Sequence, residues 1–149
     1  RIDGLSMNAN FAELLAEKAT ALGDKTGVHF FQSDEKLSYR EIDEKSDKLA
    51  DALMKMGVRK SSHVALVTPN SSGFVLSWFA IAKIGAVMVP VNPTYTVREL
   101  VYVLSDSDAT FLVYDPMFEA VGEAAACSAE RWAWVRPDPP CLSGTTGRS

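Results

Sequence analysis

Short apolar strand segments alternate with helical segments along most of this chain, and no other feature of the sequence restricts its possible folds as strongly. The clearest apolar segments are His63 to Val67, Ala86 to Val91 and Ala109 to Tyr114. Stretches with apolar residues at helical spacing separate them. Continuous apolar strands that alternate with helices are typical of a parallel sheet covered on both faces. The sequence therefore predicts an α/β fold with a doubly wound, mainly parallel sheet and helices on both faces.

The helix boundaries are marked by capping signals. Three pairs have the capping-box pattern, in which a residue that caps helices is followed three positions later by Glu: Asn10 with Glu13, Ser38 with Glu41, and Thr96 with Glu99. They predict helices over residues 11–22, from Ser38 to Gly57, and over 100–104. A further apolar helix is predicted over 71–84, ending at Gly85. Before the second helix, residues 28–31 and 37–38 predict a short hairpin.

Composition limits the possible partners and compartments. The chain has 149 residues, a formal net charge of −4 and no cluster of Lys and Arg, which argues against a nucleic-acid partner. Cys127 and Cys141 lack the spacing of metal ligands, so no metal site is predicted, and no export signal opens the chain. We therefore expect a cytoplasmic protein. The apolar run from Phe74 to Val91 is interrupted by Gly85 and Pro90, so it predicts a helix and a strand rather than a transmembrane segment.

The segment with the most pointed chemistry is Ser143-Gly144-Thr145-Thr146-Gly147. Two glycines allow the backbone N–H groups to turn toward one point, and three hydroxyls add donors there, so the loop suits phosphate oxygens. It does not match the GxxxxGK[ST] phosphate loop. Taken alone, a run of small residues at this place is more often a flexible tail.

Two motifs ahead of this loop resemble those of the adenylate-forming (AMP-binding) enzymes. Residues 37–42, LSYREI, are similar to the family's LTYxEL element, and residues 81–93, IAKIGAVMVPVNP, are similar to its KAGAVYVPLNP segment. The SGTTG sequence at Ser143 is similar to the family's YTSGTTGxPKG loop, and the three motifs follow in the family's order. Asn92 favours the acyl-CoA synthetase branch, the fatty-acid-CoA ligases included, because adenylation domains of peptide synthetases commonly have Asp-Pro there. The resemblance covers about the first quarter of a full enzyme.

This resemblance implies an ATP-dependent acyl-CoA synthetase. In such enzymes a carboxylate attacks ATP to give an acyl-adenylate and pyrophosphate, Mg²⁺ supports this step, and coenzyme A then accepts the acyl group. Carried over residue by residue, Ser143, Gly144, Thr145, Thr146 and Gly147 would bind the β- and γ-phosphates. No catalytic residue of the family falls within the sequence, so we expect the fragment to be inactive alone. Apolar surface exposed on such a fragment would favour self-association.

The stretch before the loop departs from the family pattern. From Gly122 to Pro140 the composition changes and no clean periodicity is found, and the segment before Ser143 is shorter than the family requires. We therefore divide the chain into an α/β subdomain (1–121), an anomalous connection (122–142) and a truncated phosphate-binding loop (143–149). An internal deletion or a frame-shifted reading would explain the connection. The frame-shift hypothesis fails if neither alternative reading frame of the coding DNA encodes family-like sequence there.

Two other functions compete with this interpretation. One is a non-catalytic α/β domain that binds a nucleotide or a partner, with an incidental SGTTG tail. The other is a nicotinamide-dependent dehydrogenase, which is disfavoured because no GxGxxG follows the first strand. Individual polar residues are expected to be ordinary: Lys83 solvated near a helix end, Asp43 and Asp47 on a helix surface, and His29 and His63 without catalytic roles.

Overall fold

The computed structural model describes residues 10–127 and 133–135, and its elements follow the predicted alternation. The helices are α1 (Phe11–Leu22), α2 (Tyr39–Lys55), α3 (Ser72–Ile84), α4 (Val97–Asp106) and α5 (Glu119–Cys127). The strands are β1 (Thr26–Phe30), β2 (Glu35–Ser38), β3 (His63–Val67), β4 (Val87–Pro90), β5 (Phe111–Tyr114) and β6 (Ala133–Val135). A 3₁₀ turn, Pro116–Phe118, precedes α5.

The main sheet has four parallel strands in the order β4-β3-β5-β6, while β1 and β2 form a separate antiparallel hairpin. The chain runs from β3 outward to β4 and then crosses back to β5 on the other side of β3. The N–H groups of Val87 and Val91 donate to carbonyl oxygens on the β3 side. Because successive residues of a strand direct their N–H positions to alternate sides, the nitrogen of Pro90 lies on the open side of this edge strand, where no N–H is needed. The predicted doubly wound parallel sheet is confirmed.

Both faces of this sheet are covered by helices, because neighbouring residues of each strand point to opposite faces. Leu66 of β3 packs with Leu53 of α2 and Ile81 of α3 in one buried cluster. Val67, the next residue, lies in a second cluster with Leu100 of α4. The second cluster also contains Leu104 of α4 and Ala125 of α5. Helices α2 and α3 therefore cover one face, and α4 and α5 cover the other.

On the α2/α3 side, counting outward from the sheet and these two helices, helix α1 and the hairpin form a third layer. Leu15 of α1, Leu37 of β2 and Ile42 of α2 form a smaller buried cluster. Val75 and Phe79 of α3 pack against it. This layer attaches to the helices rather than to the sheet, so its hydrophobic contacts are separate from those of the main core.

The capping predictions hold for two of the three pairs in full. Ser38 with Glu41 and Thr96 with Glu99 each make both bonds of a capping box. For α1 only one half is found: the Asn10 side chain accepts a hydrogen bond of 2.9 Å from the Glu13 N–H. Gly85 ends α3 in the left-handed conformation, at φ 74° and ψ 25°, as its predicted role as a helix cap requires.

The region from Gly122 onward contains two elements that the sequence did not predict. Helix α5 runs through Gly122 without a break, and β6 pairs in parallel with β5. The sheet thus continues into the stretch between 122 and 142. The division into units at 121/122 and 142/143 stays a prediction.

In the part of the chain that the structure describes, no helix is both long and apolar enough to cross a bilayer.

Candidate functional site

The carboxyl ends of β3, β4 and β5 lie along one edge of the sheet, and the segments that follow them form the candidate site. We call residues 68–71, 91–96 and 115–118 the carboxyl edge. Helix α3 leaves β3 toward one face and α5 leaves β5 toward the other, and β3 and β5 are neighbours. The crevice of a doubly wound sheet opens at such a reversal, and ligands bind there. Because β4, β3 and β5 are neighbours in the sheet, the segments that follow them are adjacent.

The segment after β3 carries two hydroxyls that have no hydrogen bond within the part of the chain that the structure describes. The Thr68 residue is 5% exposed, and its Oγ1, like the Oγ of Ser71, is buried without a partner among the described residues. Ser71 is the N-cap of α3, yet its side chain accepts no capping bond, unlike the caps of α1, α2 and α4. The cap of α3 therefore lacks the local bond that normally satisfies its hydroxyl.

The first turn of α3 is open on its outer side. The Phe74 N–H donates to the Ser71 carbonyl at 3.1 Å, whereas the N–H groups of Ser72 and Gly73 have no hydrogen-bond partner within the described residues. A Cβ placed on Gly73 would meet only the Ser71 Oγ, at 3.5 Å. Free N–H groups at the positive end of a helix dipole can donate to a negatively charged oxygen.

The segment after β4 is closed by Asn92. Its Oδ1 accepts from the Thr94 N–H at 3.0 Å and from the Thr94 Oγ1 at 2.9 Å. An aspartate could accept the same two bonds, because only the oxygen is used. The turn therefore accommodates either residue, and the use of Asn92 to choose between branches of the family stays a prediction.

The segment after β5 is joined to β3 and to α5. The Asp115 N–H donates to the Val67 carbonyl at 3.0 Å, and the Asp115 Oδ1 accepts from the Met117 N–H at 3.0 Å. Tyr114 is fully buried, and α5 crosses its ring at Gly122, where a Cβ would lie 3.0–3.1 Å from three ring carbons. Only a glycine allows α5 to approach the ring this closely without a shift.

Two carboxyl groups have perturbed pKa values, both through capping. The hydrogen bond from the Ser38 backbone N–H is the main cause that lowers the pKa of Glu41, and the Ser38 hydroxyl adds to it. The Thr96 N–H and hydroxyl lower the pKa of Glu99 in the same way. Glu99 lies beside the carboxyl edge, but its carboxylate is already engaged by Thr96, so it is not available as a general base.

The two histidines lie away from the carboxyl edge. The His29 Nε2 lies 2.7 Å from the Asp34 Oδ1 in the hairpin. His63 lies at the start of β3, and its Nδ1 is 2.6 Å from the carbonyl oxygen of Ser107. These contacts join neighbouring structural elements. Across residues 10–127 and 133–135, no group of three His, Cys, Asp or Glu residues could hold a metal ion.

The expectation that Lys83 is solvated is wrong. Its side chain is only 12% exposed, and its Nζ donates to the Asp43 carbonyl at 2.9 Å, the Asp43 Oδ1 at 2.7 Å and the Asp47 Oδ1 at 2.6 Å. The partners lie on α2, about forty positions away in sequence, which local spacing does not reveal. These bonds join α2 to the last turn of α3, at the opposite end of that helix from its first turn beside the carboxyl edge.

The predicted phosphate-binding residues Ser143, Gly144, Thr145, Thr146 and Gly147 lie outside the described residues. The described strand that precedes them most closely in sequence is β6. It runs parallel to β5, so its end at Val135 points to the carboxyl edge. The hydroxyls of Thr68 and Ser71 were not predicted as notable. Only their tertiary surroundings distinguish them from ordinary loop residues.

Comparisons with known proteins show where this chain has relatives. The AMP-binding enzyme family matches residues 15–141. The putative acyl-CoA synthetase YngI of Bacillus subtilis (strain 168) is 36% identical over 107 residues, which cover 72% of this chain and 20% of the relative. A crotonobetaine/carnitine–CoA ligase of Salmonella typhimurium is 34% identical over 113 residues, covering 73% and 22%. This chain thus spans about a fifth of the length of these relatives.

The fold also matches a solved structure. The anthranilate CoA ligase AuaEII, crystallised in complex with anthranoyl-AMP, superposes with a TM-score of 0.80 at 26% identity. The superposition covers 89% of this chain and 25% of the ligase.

Proposed function

The chain belongs to the AMP-binding enzyme family, and from that membership we propose that it is the amino-terminal part of an ATP-dependent acyl-CoA synthetase. In the proposed reaction a carboxylate oxygen attacks the α-phosphorus of ATP, so that pyrophosphate leaves and an acyl-adenylate forms. The thiol of coenzyme A then attacks the acyl carbon, and AMP leaves. The match over residues 15–141 carries this proposal. The names of two relatives, an acyl-CoA synthetase and a CoA ligase, support it, as does the acyl-adenylate bound to AuaEII.

The phosphate-binding role is assigned to Ser143, Gly144, Thr145, Thr146 and Gly147. Oriented N–H and hydroxyl dipoles stabilise the negative charge that gathers on departing pyrophosphate. The direction of β6 supports this assignment: this strand precedes Ser143 by eight residues in sequence and runs parallel to β5, so its end at Val135 points to the carboxyl edge.

Magnesium and coenzyme A enter the proposal through the family alone. The described residues include no cluster that could hold a metal ion, and Mg²⁺ at nucleotide sites is commonly held by the substrate phosphates with few protein ligands. We propose that Mg²⁺ arrives with ATP. Because the chain spans about a fifth of its curated relatives, we further propose that it binds the phosphates without completing the reaction.

The test is titration of the 149-residue chain with Mg²⁺-ATP by calorimetry. We expect weak binding, with a Kd on the order of 1 mM. Hydrogen bonds to charged groups contribute about 1.5–3 kcal/mol each, so Thr145→Ala with Thr146→Ala should weaken binding by about a hundredfold or more, beyond detection. Thr20→Ala with Thr26→Ala removes two exposed hydroxyls elsewhere and serves as the matched control.

If the affinity for Mg²⁺-ATP were the same in the original chain, the Thr145/Thr146 variant and the Thr20/Thr26 variant, the competing function, a non-catalytic α/β domain, would be favoured. The same conclusion would follow if Mg²⁺-ATP bound no better than inorganic sulfate. Pyrophosphate that competes with ATP in the original chain, and whose own binding in direct titration is lost in the Thr145/Thr146 variant, would support the assigned loop.

A further inference from the structure

A groove of about 510 Å³ lies in the third layer, on the opposite side of α2 and α3 from the sheet. Helix α1 forms one wall, and the start of α2 and one residue of α3 form the other. Its apolar lining includes Phe11, Leu14, Leu15, Leu22, Tyr39 and Phe79. One residue of a family motif, Tyr39 of LSYREI, is part of this lining, whereas the carboxyl edge takes no part in it.

The groove is formed in the folded chain and remains partly open to solvent. Leu15 is buried at its base and belongs to the third-layer cluster, against which Tyr39 and Phe79 also pack. At its rim Phe11 is 60% exposed and Leu22 is 37% exposed. Volumes of about 300–1,000 Å³ with apolar walls and few polar groups are typical of sites for small molecules.

The polar groups of the groove are a cation and a phenol. Lys18 is the charged residue of its lining, and Tyr39 contributes a hydroxyl that has no hydrogen-bond partner among residues 10–127 and 133–135. The Lys18 Nζ lies 3.2 Å from the Glu17 Oε1, and the two side chains are 44% and 69% exposed. Because exposed ion pairs contribute little, the ammonium group can exchange Glu17 for the carboxylate of a ligand.

We propose that this groove binds an amphiphilic carboxylate, with an aliphatic tail along the apolar walls and the carboxylate group at Lys18 and Tyr39. The apolar lining selects for the tail, and the positive charge selects for an anionic rather than a cationic head group. This site goes beyond the proposed function, because it involves neither ATP nor the loop at Ser143. It would bind an acid without activating it.

The test uses dodecanoate below its micelle concentration, with no ATP present. Trp78 is the reporter, since its ring centroid is 5.8 Å from that of Phe11, and Trp132→Phe with Trp134→Phe makes it the sole tryptophan. We expect a saturable change in Trp78 fluorescence. Ala21→Phe fills the groove from an exposed position and should weaken binding at least tenfold, whereas Ala16→Phe, exposed on α1 outside the lining, should leave it unchanged.

The head-group preference is tested separately. Lys18→Met should weaken dodecanoate binding by about fivefold, the upper range for an exposed ion pair. The exposed control Lys48→Met should have no effect, and dodecyltrimethylammonium should bind the original chain more weakly than dodecanoate. Equal binding of the two amphiphiles, or equal effects of Ala21→Phe and Ala16→Phe, would overturn the proposal. A dimer in sedimentation that Ala21→Phe dissociates would assign the groove to a second copy of the chain and overturn it as well.

Discussion

The contact between Lys83 and two aspartates of α2 gives the sharpest prediction for stability. Lys83→Met removes the ammonium group while retaining most of the apolar stem, so that the packing of α3 against α2 is largely preserved. The substitution leaves Asp43, whose side chain is 24% exposed, without its cationic partner. It also leaves the Asp43 carbonyl without the donor 2.9 Å away. The free energy of unfolding should therefore fall.

The size of the loss depends on how much solvent reaches each group. Removing one partner of a fully buried ion pair costs about 3–5 kcal/mol. Asp47 is 63% exposed, so its part of the interaction is worth no more than about 1 kcal/mol. Because water partly solvates Asp43 as well, we expect Lys83→Met to lower the free energy of unfolding by about 2–3 kcal/mol.

The assay is urea unfolding of the 149-residue chain, followed by circular dichroism. Lys48→Met, which removes an exposed lysine of α2, should change the free energy of unfolding by no more than about 0.5 kcal/mol. Lys83→Met should cost about 1 kcal/mol or less when Asp43→Asn is already present, because the abandoned charge is gone. A loss that is equally large with and without Asp43→Asn would refute an electrostatic origin. Unchanged stability of the single variant would refute the contact itself.

Two further predictions concern glycine packing and helix caps. Gly122→Ala should lower the free energy of unfolding by about 1–3 kcal/mol, because the new Cβ would lie 3.0–3.1 Å from the buried Tyr114 ring. Gly73→Ala, with only the Ser71 Oγ nearby at 3.5 Å, should be neutral or stabilising in the same urea experiment, and a reversed order would contradict the packing of α5. Because capping lowers the folded pKa of Glu41 and Glu99 below the ordinary value of 4.5, their contribution to stability is present above that pH and is lost as the pH falls through the folded pKa. Glu41→Gln with Glu99→Gln should therefore reduce the difference in stability between pH 7 and pH 3, whereas Glu44→Gln, exposed on α2, should not; equal effects would exclude the capping bonds as the cause.

The elements with local signals were predicted well from the sequence. Ser38 with Glu41 and Thr96 with Glu99 are pairs three residues apart that make their bonds within one helical turn, so residue type and spacing suffice to identify them. Strand β3 has the predicted bounds, His63–Val67, because a strand buried on both faces is apolar at every position. Asn10 shows the limit of this reasoning: its pattern predicts two bonds, and the structure contains one.

Elements that depend on distant partners were not predicted. Strand β6 has three residues, too few for a periodicity, and it is defined by its pairing with β5. Helix α5 contains Gly122 in its interior, which lowers its helix propensity, and it is supported by the ring of Tyr114. In both cases tertiary contact outweighs a weak local preference.

The candidate site divides in the same way. The family motifs and the doubly wound parallel sheet follow from the sequence, because an alternation of strands and helices restricts the chain to few topologies. The burial of the Thr68 and Ser71 hydroxyls, the apolar groove beside α1 and the partners of Lys83 do not. Each depends on which side chains approach through space, and sequence spacing carries that information only within a helical turn or a strand pair.

By itself, then, the sequence determined the order of the elements, the ends of most of its helices and the family to which the chain is similar. These properties rest on local hydrogen bonds and on the burial pattern of single segments. The tertiary structure decided which face each helix covers, which charges are buried together and where apolar surface remains open. The physical reason is that packing and desolvation depend on residues distant in sequence, whereas caps and periodicity do not.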